Sequence, residues 1–326
     1  MTPTQVATAP DGTAIHEVAI ASAALQARVL SFGASLRDLR LAGVAHPLVL
    51  GFEDPAAYLR QPGCLGAIVG PVANRISNAR FELDGRRYAL DDNDNGATLH
   101  GGSQGSAWLN WTIDQITPQS VEMSLTLPDL HMGFPGPLHI GVEYRVEGAA
   151  LTVTLRAQSP VAAVSTLAPH PYFNLDGRAT IDRHRLQILA DRRLPLDNGL
   201  PTGAPIDVAN RPYDLRAARQ VPVGLDDHYC LSEVRTDLRR VATVSAGGIA
   251  MHVHSTEAGL QAYDAGSLSA PGLGLGGRDM GPRAGLALEP HAWVDAPNQP
   301  WQAQAAMAPD VPSVAVSRFS FVRVAR

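Results

Sequence analysis

The sequence predicts an all-β protein built as a large antiparallel β-sandwich. Apolar and polar residues alternate along many short segments, which is the period of a strand with one face toward a core and the other toward water. Pairs of turn-forming residues separate these segments at short intervals, as they do in sandwiches. Segments that fit a helix are few and short, so strands dominate the prediction.

Four segments show the alternation most clearly. Their apolar positions are Val121, Met123, Leu125 and Leu127; Val142, Tyr144 and Val146; Leu151, Val153 and Leu155; and Val314 and Val316 followed, after a one-residue break, by Phe319, Phe321 and Val324. Successive side chains of a strand point to opposite faces. Each set is therefore predicted to lie on the core side of its strand.

Turn-forming pairs mark the expected strand ends. They are Asp84-Gly85, Asn95-Gly96, Glu147-Gly148, Asp176-Gly177, Asn198-Gly199 and Gly247-Gly248. Residues 54–59 and 215–220 are each predicted to form a helical turn or two. The glycine-rich segment 272–277 is predicted to be a loop, because the residues after it will not start the long helix that a dinucleotide-binding turn requires.

Strand signals run from one end of the chain to the other without a linker, which predicts one domain over residues 1–326.

The formal net charge is −5 and the basic residues form no run, so nucleic-acid binding is not expected. No apolar run is long enough to span a bilayer, and the N-terminus lacks the features of a secretory signal. We therefore expect a cytoplasmic location. The sequence leaves the oligomeric state open.

The two cysteines, Cys64 and Cys230, each have apolar neighbours and are predicted to be buried free thiols rather than a disulfide or part of a zinc site. His252 and His254 alternate on a predicted strand and are the candidates for a two-histidine zinc site. Because no acidic or cysteine partner can be placed beside them, we interpret them as outward-facing side chains. No metal site is predicted.

Four clusters place polar groups among turn residues, in the segments 70–76, 99–102, 169–175, and 286–290 followed by 295–300. Taken singly, Asn74 and Arg75 fit a capped turn with a surface ion pair, and His170 fits a structural histidine. Glu289 is more informative, because it ends an apolar run and precedes Pro290. A carboxylate at the end of a buried strand is costly unless it is paired or used in chemistry.

Together these clusters resemble the aldose 1-epimerase (galactose mutarotase) family, over nearly the whole chain and in the family's order. The matching segments are Gly33-Ala34 with 50–52 and Tyr58; 73–76 with 78–81; 99–102; 170–175; 224–229; 281–285 leading to Leu288 and Glu289; and 295–298. The resemblance implies the galactose mutarotase-like fold, a supersandwich. It also implies interconversion of the α and β anomers of a free hexose or pentose.

The resemblance assigns Glu289 as the base and His170 as the acid, with Asn74, Arg75, His100 and Asp226 binding sugar hydroxyls. Ring opening moves a proton from O1 to the base and another from the acid to the ring oxygen O5. The two groups predict a bell-shaped pH dependence, with the carboxylate on the acidic limb and the imidazole on the basic limb. Because neither step calls for a metal or a nucleotide, no cofactor is predicted.

Some positions depart from the family pattern or leave alternatives open. Pro71 replaces an arginine found in many members, and Pro169 and Pro171 flank His170 where polar residues are common, so the preferred sugar stays open. Asp226 is aligned with the functional aspartate, although Asp227 follows it directly. Trp293 and Phe173 are candidates for an aromatic wall of the sugar pocket, with core packing the expected role of Phe173.

Three other functions are alternatives to anomer interconversion. A glycoside hydrolase could use Asp226 and Glu289 as its carboxylate pair, but this leaves the histidine motifs without a role. A non-catalytic sugar-binding module could share the same fold, although both the acid and the base candidate are present. An epimerase of sugar phosphates would need a cluster of Lys or Arg around the pocket, and none can be placed.

Overall fold

The computed structural model describes residues 2–60, 63–270 and 272–324. Strands dominate this part of the chain, and every pairing between its strands is antiparallel. Its helices are short 3₁₀ turns: Pro55–Arg60, Ser77–Ala79, Ser106–Trp108, His131–Gly133, Ala296–Asn298 and Gln302–Gln304. No helix in the described residues is long and apolar enough to cross a membrane.

The largest sheet has nine strands and forms one layer of the sandwich. In spatial order they are Thr112–Ile116, Ser120–Leu127, Leu138–Glu147, Ala150–Gln158, Ser313–Arg323, Ile249–Ser255, Arg239–Ala246, Arg185–Ile188 and Arg219–Gln220. Glu147-Gly148 and Gly247-Gly248 lie at tight hairpin turns, as predicted. One face of this sheet is apolar and buried, with Tyr144 and Phe319 at or below 1 % exposure.

The opposing layer is made of a four-stranded and a six-stranded sheet. The four strands are Thr4–Thr8, Ala14–Ala21, Leu25–Leu30 and Leu36–Leu41. The six, in spatial order, are Tyr172–Phe173, Leu286–His291, Gly259–Tyr263, Asp226–Cys230, Arg192–Arg193 and Ile206–Asp207. The segment 48–50 links the two sheets, since the Leu48 N–H donates to the Leu39 carbonyl and the Leu50 N–H donates to the Tyr172 carbonyl, both at 2.8 Å. Leu39, Leu288 and Phe319 belong to one apolar cluster shared by all three sheets, so the layers pack face to face.

Five short ladders complete the fold and carry the loops at the edge of the six-stranded sheet. They are Ile68–Val69 with Ala168–Pro169, Arg75–Ile76 with Thr98–Leu99, Arg80–Leu83 with Arg86–Ala89, Ala163–Val164 with Ala306–Met307, and Leu196–Asp197 with Leu200–Pro201. The first two ladders place three of the sequence clusters beside one another. They bring the asparagine–arginine segment and both histidine segments to the same end of the molecule.

The predicted all-β sandwich is confirmed, and two local predictions are wrong. Residues 215–220 form no helix: Arg219–Gln220 is an edge strand that pairs with Arg185 and Leu186. The strand Ser313–Arg323 runs without a break, with Val314 45 % exposed and Ser317 buried. The small side chain of Ser317 lies on the core side, where its hydroxyl is hydrogen-bonded to that of Ser255. A prediction from apolar residues alone therefore assigned the first half of this strand to the wrong face.

Val324 is 43 % exposed and so is not on the core side, whereas the predictions for residues 54–59, the glycine-rich segment and the cysteines are confirmed. Residues 55–60 form a 3₁₀ helix, and the glycine-rich segment 272–277 is a loop of turns and bridges. Cys64 and Cys230 are both buried free thiols.

Candidate active site

A cavity of about 280 Å³ opens at one end of the six-stranded sheet. It is lined by all six residues that the sequence singles out: Asn74, Arg75, His100, His170, Asp226 and Glu289. They come from five separate chain segments that only the folded structure brings together. The cavity has the concave form and the mixture of polar and apolar walls expected of a small-molecule site.

The Arg75–Ile76 and Thr98–Leu99 ladder holds Asn74 and His100 against each other. The His100 backbone N–H donates to the Asn74 carbonyl at 3.0 Å, and the Asn74 backbone N–H donates to His100 Nδ1 at 3.1 Å. Both residues have a positive φ, 62° at Asn74 and 52° at His100. This conformation is uncommon for residues other than glycine, and it turns both side chains toward the cavity end of the ladder.

The hydrogen bond from Asn74 fixes the state of the His100 ring. Because Nδ1 accepts a backbone N–H, it must carry a lone pair, and the proton of the neutral ring is on Nε2. Burial, together with the neighbouring His170, His291 and Arg75, lowers the pKa of His100 well below its usual value. His100 is therefore a neutral ring that presents an N–H donor at Nε2.

Arg75 is held by two contacts outside the cavity. Its Nε donates to Asp94 Oδ2 at 2.7 Å, and both side chains are 23 % exposed. The guanidinium also lies against the hairpin turn Asn198-Gly199, where a Cβ on Gly199 would come within 2.4 Å of Arg75 Nη1. The charge of Arg75 is thus fixed in position at the wall of the cavity.

His170 and Glu289 form the most buried part of the site. His170 Nε2 lies 3.3 Å from Glu289 Oε2, and the side chains are 6 % and 3 % exposed. The His170 backbone is fixed on both sides, since its N–H donates to the Ala67 carbonyl and its carbonyl accepts the Gly66 N–H. Glu289 lies in the middle of the sheet, where its Cα pairs with Gln261 on the neighbouring strand.

Burial acts on these two groups in opposite directions. It raises the pKa of the Glu289 carboxyl well above its usual value. The negative charge of Asp226 raises this pKa further, and the positive charge of Arg75 lowers it. Burial lowers the pKa of His170 to about 4. Burial by itself therefore favours a neutral pair with the proton on Glu289, rather than the ion pair expected from the sequence.

The structure distinguishes the two consecutive aspartates. Asp226 lines the cavity, and its Oδ1 accepts a hydrogen bond from Gln261 Nε2 at 2.6 Å. Asp227 points to the other side of the strand, where it is buried and paired with Arg193. This division follows from the alternation of side chains along a strand. The alignment of Asp226 with the family's aspartate agrees with its place at the cavity.

Several lining residues were missed by sequence reasoning. They are Gly63, Cys64, Leu99, Tyr172, Gln261, Tyr263, Ser267, Leu268 and Ser269. Gln261 could have been found, because an amide in the middle of the apolar strand Gly259–Tyr263 requires polar partners. It has two: Asp226, and His228, whose Nδ1 lies 3.2 Å from Gln261 Oε1.

Burial raises the pKa of the Cys64 thiol to about 12, so the thiol stays neutral.

The aromatic wall differs from the one expected. Tyr172 and Tyr263 line the cavity, and the Tyr172 ring centroid lies 5.0 Å from that of His170. The expectation for Trp293 is wrong, because it packs against Trp301 at another cavity. Phe173 stacks on Phe319 in the core, as anticipated.

The prolines that depart from the family pattern do not line the cavity: Pro71, Pro169 and Pro171 are absent from its wall. All three are buried behind it. Pro169, for example, pairs with Ile68 in the ladder before His170.

Three side chains of the site are of types that bind metals. In the described residues, His100, His170 and Glu289 are the group whose ligand atoms lie within 4.8 Å of one another. His100, however, carries its proton on Nε2 because Nδ1 accepts the Asn74 N–H, so it offers no lone pair to a metal. Two donors remain, one fewer than the three protein ligands usual for a catalytic zinc site.

Comparison with known proteins identifies relatives over most of the chain. A family model described as aldose 1-epimerase matches residues 16–315. Galactose mutarotase from Rattus norvegicus is 34 % identical over 305 residues, which cover 89 % of each chain. Aldose 1-epimerase from Escherichia coli is 32 % identical over 318 residues, 90 % of this chain and 91 % of the relative.

Two solved structures show the same fold. An aldose epimerase homologue from C. elegans superposes with a TM-score of 0.88 and 26 % identity, over 95 % of this chain and 99 % of that one. Galactose 1-epimerase from Lactobacillus acidophilus has a TM-score of 0.86 over 99 % of each chain, and its 21 % identity supports the likeness of fold alone.

Proposed function

The chain belongs to the aldose 1-epimerase family and is a mutarotase, and we propose that Glu289 and His170 perform its proton transfers. The observation that carries this proposal is the 3.3 Å separation of His170 Nε2 and Glu289 Oε2 at the wall of the cavity. Two titratable groups at this distance are able to serve two oxygens of the same sugar, O1 and O5.

The reaction needs the pair to hold one proton. In the reacting form the Glu289 carboxylate takes the proton from O1 while the His170 imidazolium gives its proton to O5, and the C1–O5 bond breaks to leave an aldehyde. Rotation about C1–C2 presents the other face of the aldehyde. Closure then reverses both transfers, so the pair ends with the proton arrangement it started from.

The neutral pair, with the proton on Glu289, and the ionised pair, with the proton on His170, hold the same number of protons. They differ by the transfer of one proton between His170 Nε2 and Glu289 Oε2, which lie 3.3 Å apart. Arg75 favours the ionised form, because its positive charge lowers the pKa of Glu289. Sugar hydroxyls that donate to the carboxylate act in the same direction. Substrate binding thus prepares the base and the acid together.

His100 has a different role in this proposal. Its Nδ1 is occupied by the Asn74 N–H, so it cannot take up a second proton without losing that bond. It donates a hydrogen bond from Nε2 to a sugar oxygen. Asn74, Arg75 and Asp226 bind other hydroxyls, with the Asp226 carboxylate held by Gln261 to accept them.

We propose a free aldose, and galactose first, as the substrate. The volume of about 280 Å³ suits a single monosaccharide, and relatives named as galactose mutarotases match most of the chain. The experiment is polarimetry of freshly dissolved single-anomer galactose, glucose, xylose, arabinose and fucose, with the spontaneous rate subtracted. Acceleration of galactose with no release of aryl alcohol from aryl galactosides is expected. No acceleration of any of these sugars would contradict the proposal.

A further inference from the structure

A second cavity, of about 660 Å³, lies apart from the proposed sugar pocket. None of the residues that line the first cavity lines this one. The strand Gly259–Tyr263 connects them, since Ala258 just before it contributes to the second cavity and Tyr263 at its end to the first. The catalytic proposal gives this larger cavity no role.

Two tryptophans form part of its wall. The ring centroids of Trp293 and Trp301 are 5.4 Å apart, with an interplanar angle of 66°. The indole N–H of Trp293 donates to the Ala258 carbonyl at 3.0 Å, and that of Trp301 donates to the Val294 carbonyl at 3.1 Å. Both N–H groups are bonded within the protein and Trp293 is 3 % exposed, so the partly exposed Trp301 offers a ligand the apolar ring surface.

A buried carboxylate lies in the same wall. Glu257 is 1 % exposed, and its Oε1 accepts a hydrogen bond from Arg235 Nε at 2.9 Å. Its Oε2 has no hydrogen-bond partner in the described residues. An unpaired buried carboxylate oxygen is unfavourable, and a donor group of a ligand would satisfy it. Glu289 in the first cavity is also buried, and its Oε2 makes no hydrogen bond although His170 Nε2 lies 3.3 Å away.

The charges around the cavity cancel in pairs. Arg235 is paired with Glu257, and Arg192 donates to Glu233 at 2.5 Å. A site for a phosphate or an organic cation would carry an excess of one sign. Balanced charges, an aromatic surface and one free acceptor instead match a neutral ring with an apolar face and hydroxyl donors.

We propose that this cavity is a second carbohydrate-binding site, which takes a neutral pyranoside against Trp301 with a hydroxyl directed to Glu257. Its volume exceeds that of the first cavity, so it accommodates a glycoside as well as a free sugar. Among the described residues its lining holds no histidine, so it lacks the imidazole of the catalytic pair, and we expect it to bind sugar without opening the ring.

The test uses sugars that cannot open. Methyl β-D-galactopyranoside and methyl α-D-glucopyranoside have a capped O1, and their binding to the full chain is measured by isothermal titration calorimetry. We expect two equivalents of at least one glycoside in the wild type. Asp226→Ala should weaken the first site and leave the second. Trp301→Ala should weaken the second by about tenfold or more, because it removes the stacking surface, and leave mutarotation unchanged.

Two further variants separate binding from folding. Gln302→Ala changes an exposed neighbour of Trp301 that does not line the cavity, and it should retain both sites. Glu257→Gln keeps the size of the side chain and should also weaken the second site. A single equivalent that disappears in Asp226→Ala, or a second equivalent that persists unchanged in both Trp301→Ala and Glu257→Gln, would overturn the proposal.

Discussion

His170 Nε2 lies 3.3 Å from Glu289 Oε2 with both side chains almost completely buried. At this distance we expect the two groups to titrate as a pair rather than as two independent sites. The low polarity that separates their pKa values also strengthens their interaction with a sugar.

Replacing Glu289 tests the base. Glu289→Gln keeps the size and hydrogen-bonding capacity of the side chain but cannot accept a proton at neutral pH. We expect the rate above spontaneous mutarotation to fall by roughly 10²–10⁴-fold, the usual effect of a positioned acid or base. Polarimetry of α-D-galactose measures it, with exposed Glu82→Gln as the control. Wild-type turnover in a folded Glu289→Gln protein would remove Glu289 from the mechanism.

The pH dependence of kcat/KM tests the order of protonation. The one-proton pair gains a second proton on His170, whose pKa is lowered to about 4, and loses its proton from Glu289, whose pKa is raised by burial. The acidic limb should therefore report the imidazole and lie below its ordinary value of 6.5, and the alkaline limb should report the carboxyl group. Burial reverses the assignment expected from the sequence.

Two histidine variants assign each limb of the pH profile to a residue. His170→Asn should lower kcat strongly and remove the acidic limb from the pH profile of the remaining activity. His100→Asn should keep both limbs and mainly raise KM, because His100 donates a hydrogen bond without changing its charge. Polarimetry across pH on both variants gives the profiles. Loss of a limb in His100→Asn together with an unchanged profile in His170→Asn would show that the acid is His100.

The same carboxyl group should affect stability. Because the folded-state pKa of Glu289 lies above the unfolded value near 4.5, its stabilising contribution is complete below 4.5 and is lost as pH rises toward the folded value. Glu289→Gln mimics the protonated form at every pH. We expect Tm of the variant to match the wild type near pH 4 and to exceed it increasingly at higher pH, as measured by differential scanning calorimetry. A constant difference across pH would contradict the raised pKa.

Substitutions of the two consecutive aspartates, Asp226 and Asp227, form a matched pair of variants. Asp226→Asn should raise KM, since it weakens an acceptor for sugar hydroxyls at the cavity. Asp227→Asn should leave kcat/KM unchanged and lower the free energy of unfolding by about 1–3 kcal/mol, because it breaks a buried hydrogen-bonded contact with Arg193. Denaturant unfolding and polarimetry measure the two effects. If Asp227→Asn were the variant with the higher KM, the assignment of the sugar-facing aspartate would be reversed.

A glycine far from the cavity in sequence should affect sugar binding through Arg75. A Cβ at Gly199 would come within 2.4 Å of Arg75 Nη1, so Gly199→Ala should displace the guanidinium and raise KM. Gly85→Ala is the control, because its φ of +77° matches the +76° of Gly199, nothing lies within 4 Å of its Cβ position, and its hairpin does not line the cavity. Both variants carry the same backbone strain. Equal effects on KM would show that strain, and not contact with Arg75, is responsible.

Local patterns in the sequence were sufficient to predict the all-β class and four neighbouring strands of the nine-stranded sheet. The alternation at Val142, Tyr144 and Val146 reports directly on one buried face, because a strand's side-chain period is a property of the backbone alone. Ordered motifs also identified the six residues that meet at the cavity. Where small or polar residues face the core, as at Ser317, apolarity gave the wrong face.

The tertiary structure decided what these residues are able to do. The backbone N–H of Asn74 fixes the proton of His100 on Nε2, a contact between residues 26 positions apart. Burial by distant strands sets the order of the pKa values of Glu289 and His170. The packing of layers places Trp293 at a second cavity and leaves Tyr172 at the first. Hydrogen bonding, desolvation and cavity shape arise from contacts between segments far apart in the chain, and no local pattern of residues encodes them.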